Sequence, residues 1–270
     1  MSGANDLSSV PVSEGAKTPA VRTNVIPFYV VLGRALQRTV GGLKVLLPLV
    51  LVIGGLGHLV MYYAGLATAP FAGADQFSKL LYSEVAKLIV GTIWGVFLFP
   101  ILDAATIYVW RRADEGADAT LYAALNWALA RYGRMLKPHA ISYVTIALGM
   151  VVIVPGVLFG LQYAFVSAIT ATDDRSKAPL ARSQKLTAGR RGKIMLSWIP
   201  YALWYLPAYL WLVYEAEGMG WHAVLLFGAV DMLLLVVMEM AMYGLYVERI
   251  DDARRVQEAT ARDATPALEG

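Results

Sequence analysis

The chain contains no cysteine. Disulfide frameworks, zinc–thiolate centres, iron–sulfur clusters and thiolate nucleophiles are excluded with it. Histidine is scarce as well. His58, His139 and His222 are the whole set, and none is spaced to share a metal with another. No metal and no cofactor is expected. No glycine-rich phosphate loop follows a strand-like segment. Ser183 has no base near it in sequence. Asp173 and Asp174 are adjacent, so they point to different faces and suit a helix cap better than paired acid–base chemistry. The expectation is a protein that is not an enzyme. Charge is thin too: Asp, Glu, Lys and Arg make up 16% of the residues, against about 25% in ordinary soluble domains. The net charge of +3 is small, and the basic residues flank apolar runs. Topology explains them, and no nucleic-acid partner is expected.

What the chain has in excess is apolar residues, at 58%, and they are gathered into long runs. Residues 1–23 are rich in Ser, Ala, Gly and Pro without apolar periodicity and read as a disordered tail. Residues 254–270 read as a flexible C-terminal tail whose start can continue the last helix. Between them, 24–253 reads as one membrane domain. A spanning helix needs about 20 apolar residues. Val45–Leu66, Val85–Trp110, Ile194–Tyr214 and Trp221–Val247 meet that length. The run from His139 to Thr172 is too long for one span and short for two. Pro155-Gly156 favours a break in its middle, giving either two short spans, His139–Val154 and Val157–Ala171, or a re-entrant hairpin. The fold class is all-α: a polytopic membrane helical bundle of about six spans.

With both termini in the cytoplasm, Lys79 and Lys87 are the only basic residues outside, and the other 21 of the 23 Lys and Arg lie inside. One span over 139–172 would turn the basic segment Arg175–Lys193 outward, against the positive-inside bias.

Three segments precede the three pairs of apolar runs. Each holds an alanine- or proline-led Leu-x-Arg pattern, at Ala35–Arg38, Ala128–Arg131 and Pro179–Arg182. The first two are amphipathic. Phe28, Leu32, Ala35, Leu36 and Thr39 share one face, and Leu121, Leu125, Leu129, Tyr132 and Leu136 form another stripe. Two readings fit: three repeats of an interfacial helix plus a membrane hairpin, or loops enriched in Ala, Leu and Arg because they lie beside a membrane. Gly91 and Gly95 form a GxxxG motif, as do Gly156 and Gly160, a signal for close helix packing within the chain. Aromatic residues crowd Trp198–Tyr214. Its ends fit interfacial belts, whereas Trp204 and Tyr205 lie deep enough to pack inside a bundle.

The segment 155–193 carries Pro155, Gly156, Tyr163, Asp173, Asp174, Leu180, Ser183, Leu186, Gly189, Arg190 and Arg191. This pattern resembles a family of bacterial polytopic membrane proteins of unknown function, which shares its signature with the membrane domain attached to some glycerophosphoryl diester phosphodiesterases. Pro179 departs from it, where alanine is usual. The resemblance is best over roughly residues 100–200. It implies a six-span helical fold in a bacterial cytoplasmic (inner) membrane and no catalytic residues, because the phosphodiesterase chemistry belongs to a separate soluble domain.

Ionisable residues inside spans are functional candidates by default. Here they are His58, Asp103, Asp231 and Glu239. Their bland alternative is a hydrogen bond between helices or a snorkelling side chain. Arg131, Arg134, Arg182, Arg190 and Arg191 are candidates for contact with anionic lipid or with a protein partner at the cytoplasmic face, each such charge contributing about 1 kcal/mol near an anionic leaflet. Two functions follow. The first is a scaffold or accessory subunit that organises lipid or a partner. The second is a transporter or channel whose polar path is lined by the four intramembrane groups. Whether His58 and Asp231 face a water-filled cavity discriminates between them, a dry, packed interior favouring the first. Helix rise places His58 about 12 Å and Asp231 about 15 Å below the outer ends of their spans. The two are therefore expected to face each other.

Overall fold

In the computed structural model, residues 27–68, 75–173, 176–215 and 220–264 are described. The expected N-terminal tail and Asp174 lie outside that set, as do the side chains at 209–215. Among the described residues the regular structure is helical throughout. Helix α1 (Phe28–Gly41) ends at Gly42, and α2 (Leu43–Val50) runs through a π-helical stretch (Leu51–Gly55) into α3 (Leu56–Ala67). Then come α4 (Gln76–Asp114), α5 (Leu121–Met150), α6 (Val154–Tyr163), α7 (Val166–Thr172), α8 (Pro179–Thr187), α9 (Arg191–Glu215) and α10 (Trp221–Ala264). Four segments are long and apolar enough to cross a membrane: Leu43–Ala67, Phe77–Asp114, Val154–Thr172 and Trp221–Arg255. Exposed Leu88, Ile89, Ile93 and Phe97 on α4, and Leu203 and Leu206 on α9, form an apolar exterior suited to lipid.

Local sequence explains most helix ends. The Asp75 side chain accepts a 2.7 Å bond from Ser78 N and starts α4. That bond holds its carboxyl below the usual range. Thr120 accepts from Ala123 N at 3.3 Å and starts α5, and Pro179 occupies the first turn of α8.

Several expectations need correction. The break expected at Pro155-Gly156 lies earlier, at Val151–Ile153, because Pro155 needs no amide donor and fits the first turn of α6. Ile153 takes a left-handed φ of 61°, an uncommon conformation for a β-branched residue. Val151 to Val154 are each 66–73% exposed, an apolar hairpin tip suited to hydrocarbon rather than water. The start of the C-terminal segment from 254 continues the last helix, the option left open in the sequence, and α10 runs to Ala264. Asp251 with Arg255, and Arg254 with Glu258, are spaced i,i+4 to support it. The second amphipathic segment is no separate helix, because α5 is continuous through Pro138. The buried faces are also narrower than the expected stripes. They are Val31, Ala35 and Thr39 on α1 and Ala124, Ala128 and Met135 on α5, whereas Leu36 and Leu129 are exposed. Small residues win these contacts because they let α1 and α5 approach the bundle closely.

Residues of the 155–193 pattern build one substructure. Ser183 on α8 donates to Gln162 O at 2.8 Å and accepts from Phe165 N at 3.2 Å. It thereby satisfies the backbone at the break between α6 and α7. Asp173 ends α7, its N–H donating to Ile169 O at 2.8 Å, and its buried carboxylate pairs with Arg182. Gly189 has φ 79°, which turns the chain from α8 into α9. Removing the Ser183 hydroxyl strands a buried amide. The Ser183→Ala variant is therefore expected to lose about 1–3 kcal/mol of stability, read as a lower thermal midpoint in detergent. A midpoint equal to wild type would show that the hydroxyl does not hold the break.

Candidate functional site

The site begins at the π-helical stretch. Such stretches displace carbonyls from the regular ladder and often occur at functional positions. Two carbonyls here accept side-chain bonds: Ile53 O from Trp94 Nε1 on α4 at 2.8 Å, and Gly54 O from His58 Nδ1 at 3.1 Å. Gly54 also marks where this helix crosses α10. A Cβ on Gly54 would meet Met232 Cβ at 2.3 Å, and one on Gly228 would meet Gly54 O and His58 Cβ at 2.6 Å. Only glycines admit that approach. It brings α10 close enough for Asp231 Oδ2 to lie 3.5 Å from His58 Nε2. The depth arithmetic therefore meets a direct pair. Tyr201 on α9 donates its hydroxyl to the same oxygen at 3.5 Å. Asp231 Oδ1 is buried and has no hydrogen-bond partner among the described residues.

The tautomer of His58 follows from its neighbours. A carbonyl can only accept, so Nδ1 carries the proton that Gly54 O receives. In the neutral ring Nε2 is then a bare acceptor, yet it faces a carboxylate oxygen. Two acceptors that face each other need a proton between them. The pair is therefore built to hold one proton beyond a neutral imidazole and a carboxylate.

Beside the pair is a cavity of about 480 Å³. His58, Asp231, Tyr201, Tyr205, Tyr143 and Trp94 contribute to its wall, and the Glu84–Lys87 ion pair (2.7 Å) also lines it. Phe227 packs edge-on to His58 at 5.4 Å and stacks with Trp204 at 6.2 Å. Trp204 thus packs in the bundle, as its depth suggested, whereas Tyr205 lines the cavity and is exposed. The GxxxG glycines serve as seats for side chains of other helices within the chain: Gly91 for Met61, Gly95 for the Tyr143 ring, and Gly160 for Trp198.

Asp103 and Glu239 belong to a second cluster. Ser167 on α7 donates to Asp103 Oδ2 at 2.5 Å, and His139 Nδ1 lies 3.6 Å from the same oxygen. Glu239 is within electrostatic reach of Asp103. His139 stacks on Tyr143 with centroids 5.8 Å apart. Since Tyr143 also lines the cavity, the two clusters adjoin through that ring pair. Along α10, Asp231 and Glu239 are eight residues apart, about 12 Å of helix. The structure thus groups the four intramembrane candidates into two neighbouring polar centres. Among the described residues there is no group of three His, Asp or Glu suited to a metal ion.

His139, Tyr143, Tyr201 and Ser167 were not among the sequence candidates. His139 and Tyr143 carried one readable signal, an i,i+4 spacing on one helix face. Nothing in the sequence indicated Asp103 as their partner.

The five candidate arginines divide differently. Arg131 Nε and Arg134 Nη2 donate to Ala171 O at 3.0 and 2.7 Å, neutralising the C-terminal end of α7. Arg131 also lies 3.8 Å over the Trp127 ring. Partial burial lowers the pKa of both guanidinium groups. Arg182 pairs with Asp173, and Arg190 with Glu248 and Asp252. Four of the five are therefore engaged inside the protein, and Arg191 is exposed.

No protein-family model, curated protein or solved structure matches this chain.

Proposed function

We propose that the protein is a non-enzymatic multi-pass carrier of the bacterial inner membrane, with a polar path through His58, Asp231, Asp103 and Glu239. The observation that carries this reading is the cavity of about 480 Å³ onto which His58 and Asp231 open. A scaffold needs a packed interior, and these two groups do not sit in one. Two of the five candidate arginines, Arg182 and Arg190, pair with carboxylates, and Arg131 and Arg134 turn to a buried carbonyl, which weakens the lipid- or partner-organising reading. In this reading the chain forms three hairpins, about six inserted segments, with both termini cytoplasmic. The resemblance of residues 155–193 supports the membrane assignment. The middle hairpin is short: His139–Met150 covers about 18 Å, against about 30 Å of hydrocarbon. Its apolar tip stays within the bilayer.

The lack of cysteine makes the test direct. Single cysteines at Thr92 and Ala147, which line the cavity, are expected to react with a small cationic methanethiosulfonate on intact cells. Cysteines at lipid-facing Ile89, at Val152 on the hairpin tip, and at Glu115 and Lys177 are expected to stay unmodified. Unreactive Thr92 and Ala147 positions would mean a closed interior and would end the carrier reading. Reaction at Lys177 would overturn the orientation.

A further inference from the structure

The cavity contains one charge whose chemistry is half used. Asp231 places Oδ2 toward His58 and Tyr201, while Oδ1 is buried without a partner among the described residues. Its side chain is only 6% exposed. A carboxylate oxygen so placed accepts hydrogen bonds or a positive charge and repels anions. The protein's own cation in the cavity, Lys87, is already paired with Glu84 at 2.7 Å, so it leaves Asp231 Oδ1 open. The neighbouring walls are aromatic, with Tyr201 and Tyr205 stacked at 5.5 Å and Trp94 and Phe227 on other sides. Ring faces attract cations, more strongly when the cation is desolvated. A carboxylate inside an aromatic enclosure is the chemistry that recognises an organic ammonium ion. The volume is ordinary for a small-molecule site, which runs from about 300 to 1,000 Å³.

We propose that this cavity binds a small organic ammonium solute, with Asp231 as its counter-ion and the surrounding ring faces as its cage. The proposal rests on the carrier reading and names its substrate class. The ammonium group lies on the side of the cavity that Asp231 lines, within the field of its carboxylate, and its apolar part lies toward Phe227 and Trp94. Binding fixes Asp231 as the anion and gives His58 no reason to keep a second proton. The proton held between Nε2 and Oδ2 therefore leaves to solvent as the cation enters. Atoms and charge balance: one cation in, one proton out. The ionisable groups that line the cavity with Asp231 are His58 and Tyr62 from α3, Tyr201 and Tyr205 from α9, Tyr143 from α5, and the Glu84–Lys87 pair from α4. The pair is internally compensated, and a tyrosine hydroxyl keeps its proton throughout the neutral range. The exchangeable proton is thus that of the His58–Asp231 pair.

Benzyltrimethylammonium and its uncharged carbon isostere, 2,2-dimethylpropylbenzene, separate charge from shape. The full-length protein in detergent is titrated with each by calorimetry. The cation is expected to bind at least tenfold more tightly than the isostere. In buffers of differing ionisation enthalpy, its binding is expected to release about one proton, and its affinity is expected to fall as pH falls. Asp231→Asn is expected to weaken cation binding at least tenfold and to abolish proton release. Tyr201→Phe keeps the ring and is expected to keep most of the affinity. Equal binding of cation and isostere overturns the proposal, as does cation binding without proton release in the unmodified protein. Either result, combined with reactive cysteines at Thr92 and Ala147, defeats the ligand class alone. Unreactive cysteines there defeat the carrier reading itself.

Discussion

Replacing Arg190 with alanine is expected to lower stability by about 3–5 kcal/mol, the usual cost of breaking a buried ion pair by removing one partner. Arg190 stands at the turn where Gly189 redirects the chain into α9. Its guanidinium reaches α10, where Nη1 lies 2.6 Å from Glu248 Oε1 and Nη2 pairs with Asp252. All three side chains are largely buried. Lys193 lies 3.2 Å from Glu248 and would still serve that carboxylate. Among the described residues, Asp252 would be left with no cation paired to it. Whole domains are stable by only about 5–15 kcal/mol, so this loss removes a large share. Arg190→Lys keeps the charge but loses the two-pronged geometry, and it is expected to fall between alanine and wild type. Arg191→Ala, one residue away and exposed, is expected to change stability by no more than about 0.5 kcal/mol. Thermal and denaturant unfolding in detergent measure all three. Equal effects of Arg190→Ala and Arg191→Ala would show that the contact with α10 does not hold the helices together.

That contrast bears on what was legible before the structure. Arg190 and Arg191 read alike in sequence, as a basic pair beside a membrane. The α10 carboxylates that distinguish them lie 58 and 62 residues later, beyond the reach of any local pattern. Class and approximate span positions were legible because hydropathy over about 20 residues reports burial in lipid directly. The glycine motifs were legible as packing positions, but Gly54 and Gly228, which fix the crossing beside the site, belong to no such motif. The hairpin break was placed a few residues late because Pro and Gly mark where a helix can start as well as where it stops. His58 and Asp231 could be matched because their depths were counted from ends of two oppositely directed runs that were expected on the same side. His139 could not be matched to Asp103 by depth alone, since rise along a helix says nothing about which face meets which neighbour.

The coupling between His58 and Asp231 is expected to be the largest pairwise term inside the membrane. A carboxylate at this depth costs at least about 2.5–3.5 kcal/mol on insertion scales when isolated. His58→Ala leaves Asp231 with only the Tyr201 hydroxyl on Oδ2 and nothing on Oδ1, so this variant is expected to show the greatest single loss of thermal stability. Asp231→Asn is nearly isosteric and retains an oxygen for Tyr201. It removes the charge that the imidazole was compensating, and its loss is expected to be smaller. Once the carboxylate has become an amide, deleting His58 strands no charge. The double variant is therefore expected to lose less than the sum of the singles, by about 0.5–3 kcal/mol. His58→Phe supplies a check on packing, because His58 also packs edge-on against Phe227 at 5.4 Å. A phenyl ring restores that contact without a nitrogen for Asp231. If His58→Phe is as stable as wild type, ring packing rather than the proton-holding pair accounts for His58. Strictly additive losses in the double variant would likewise show that the two groups do not interact, and the proton exchange assigned to them would have no site.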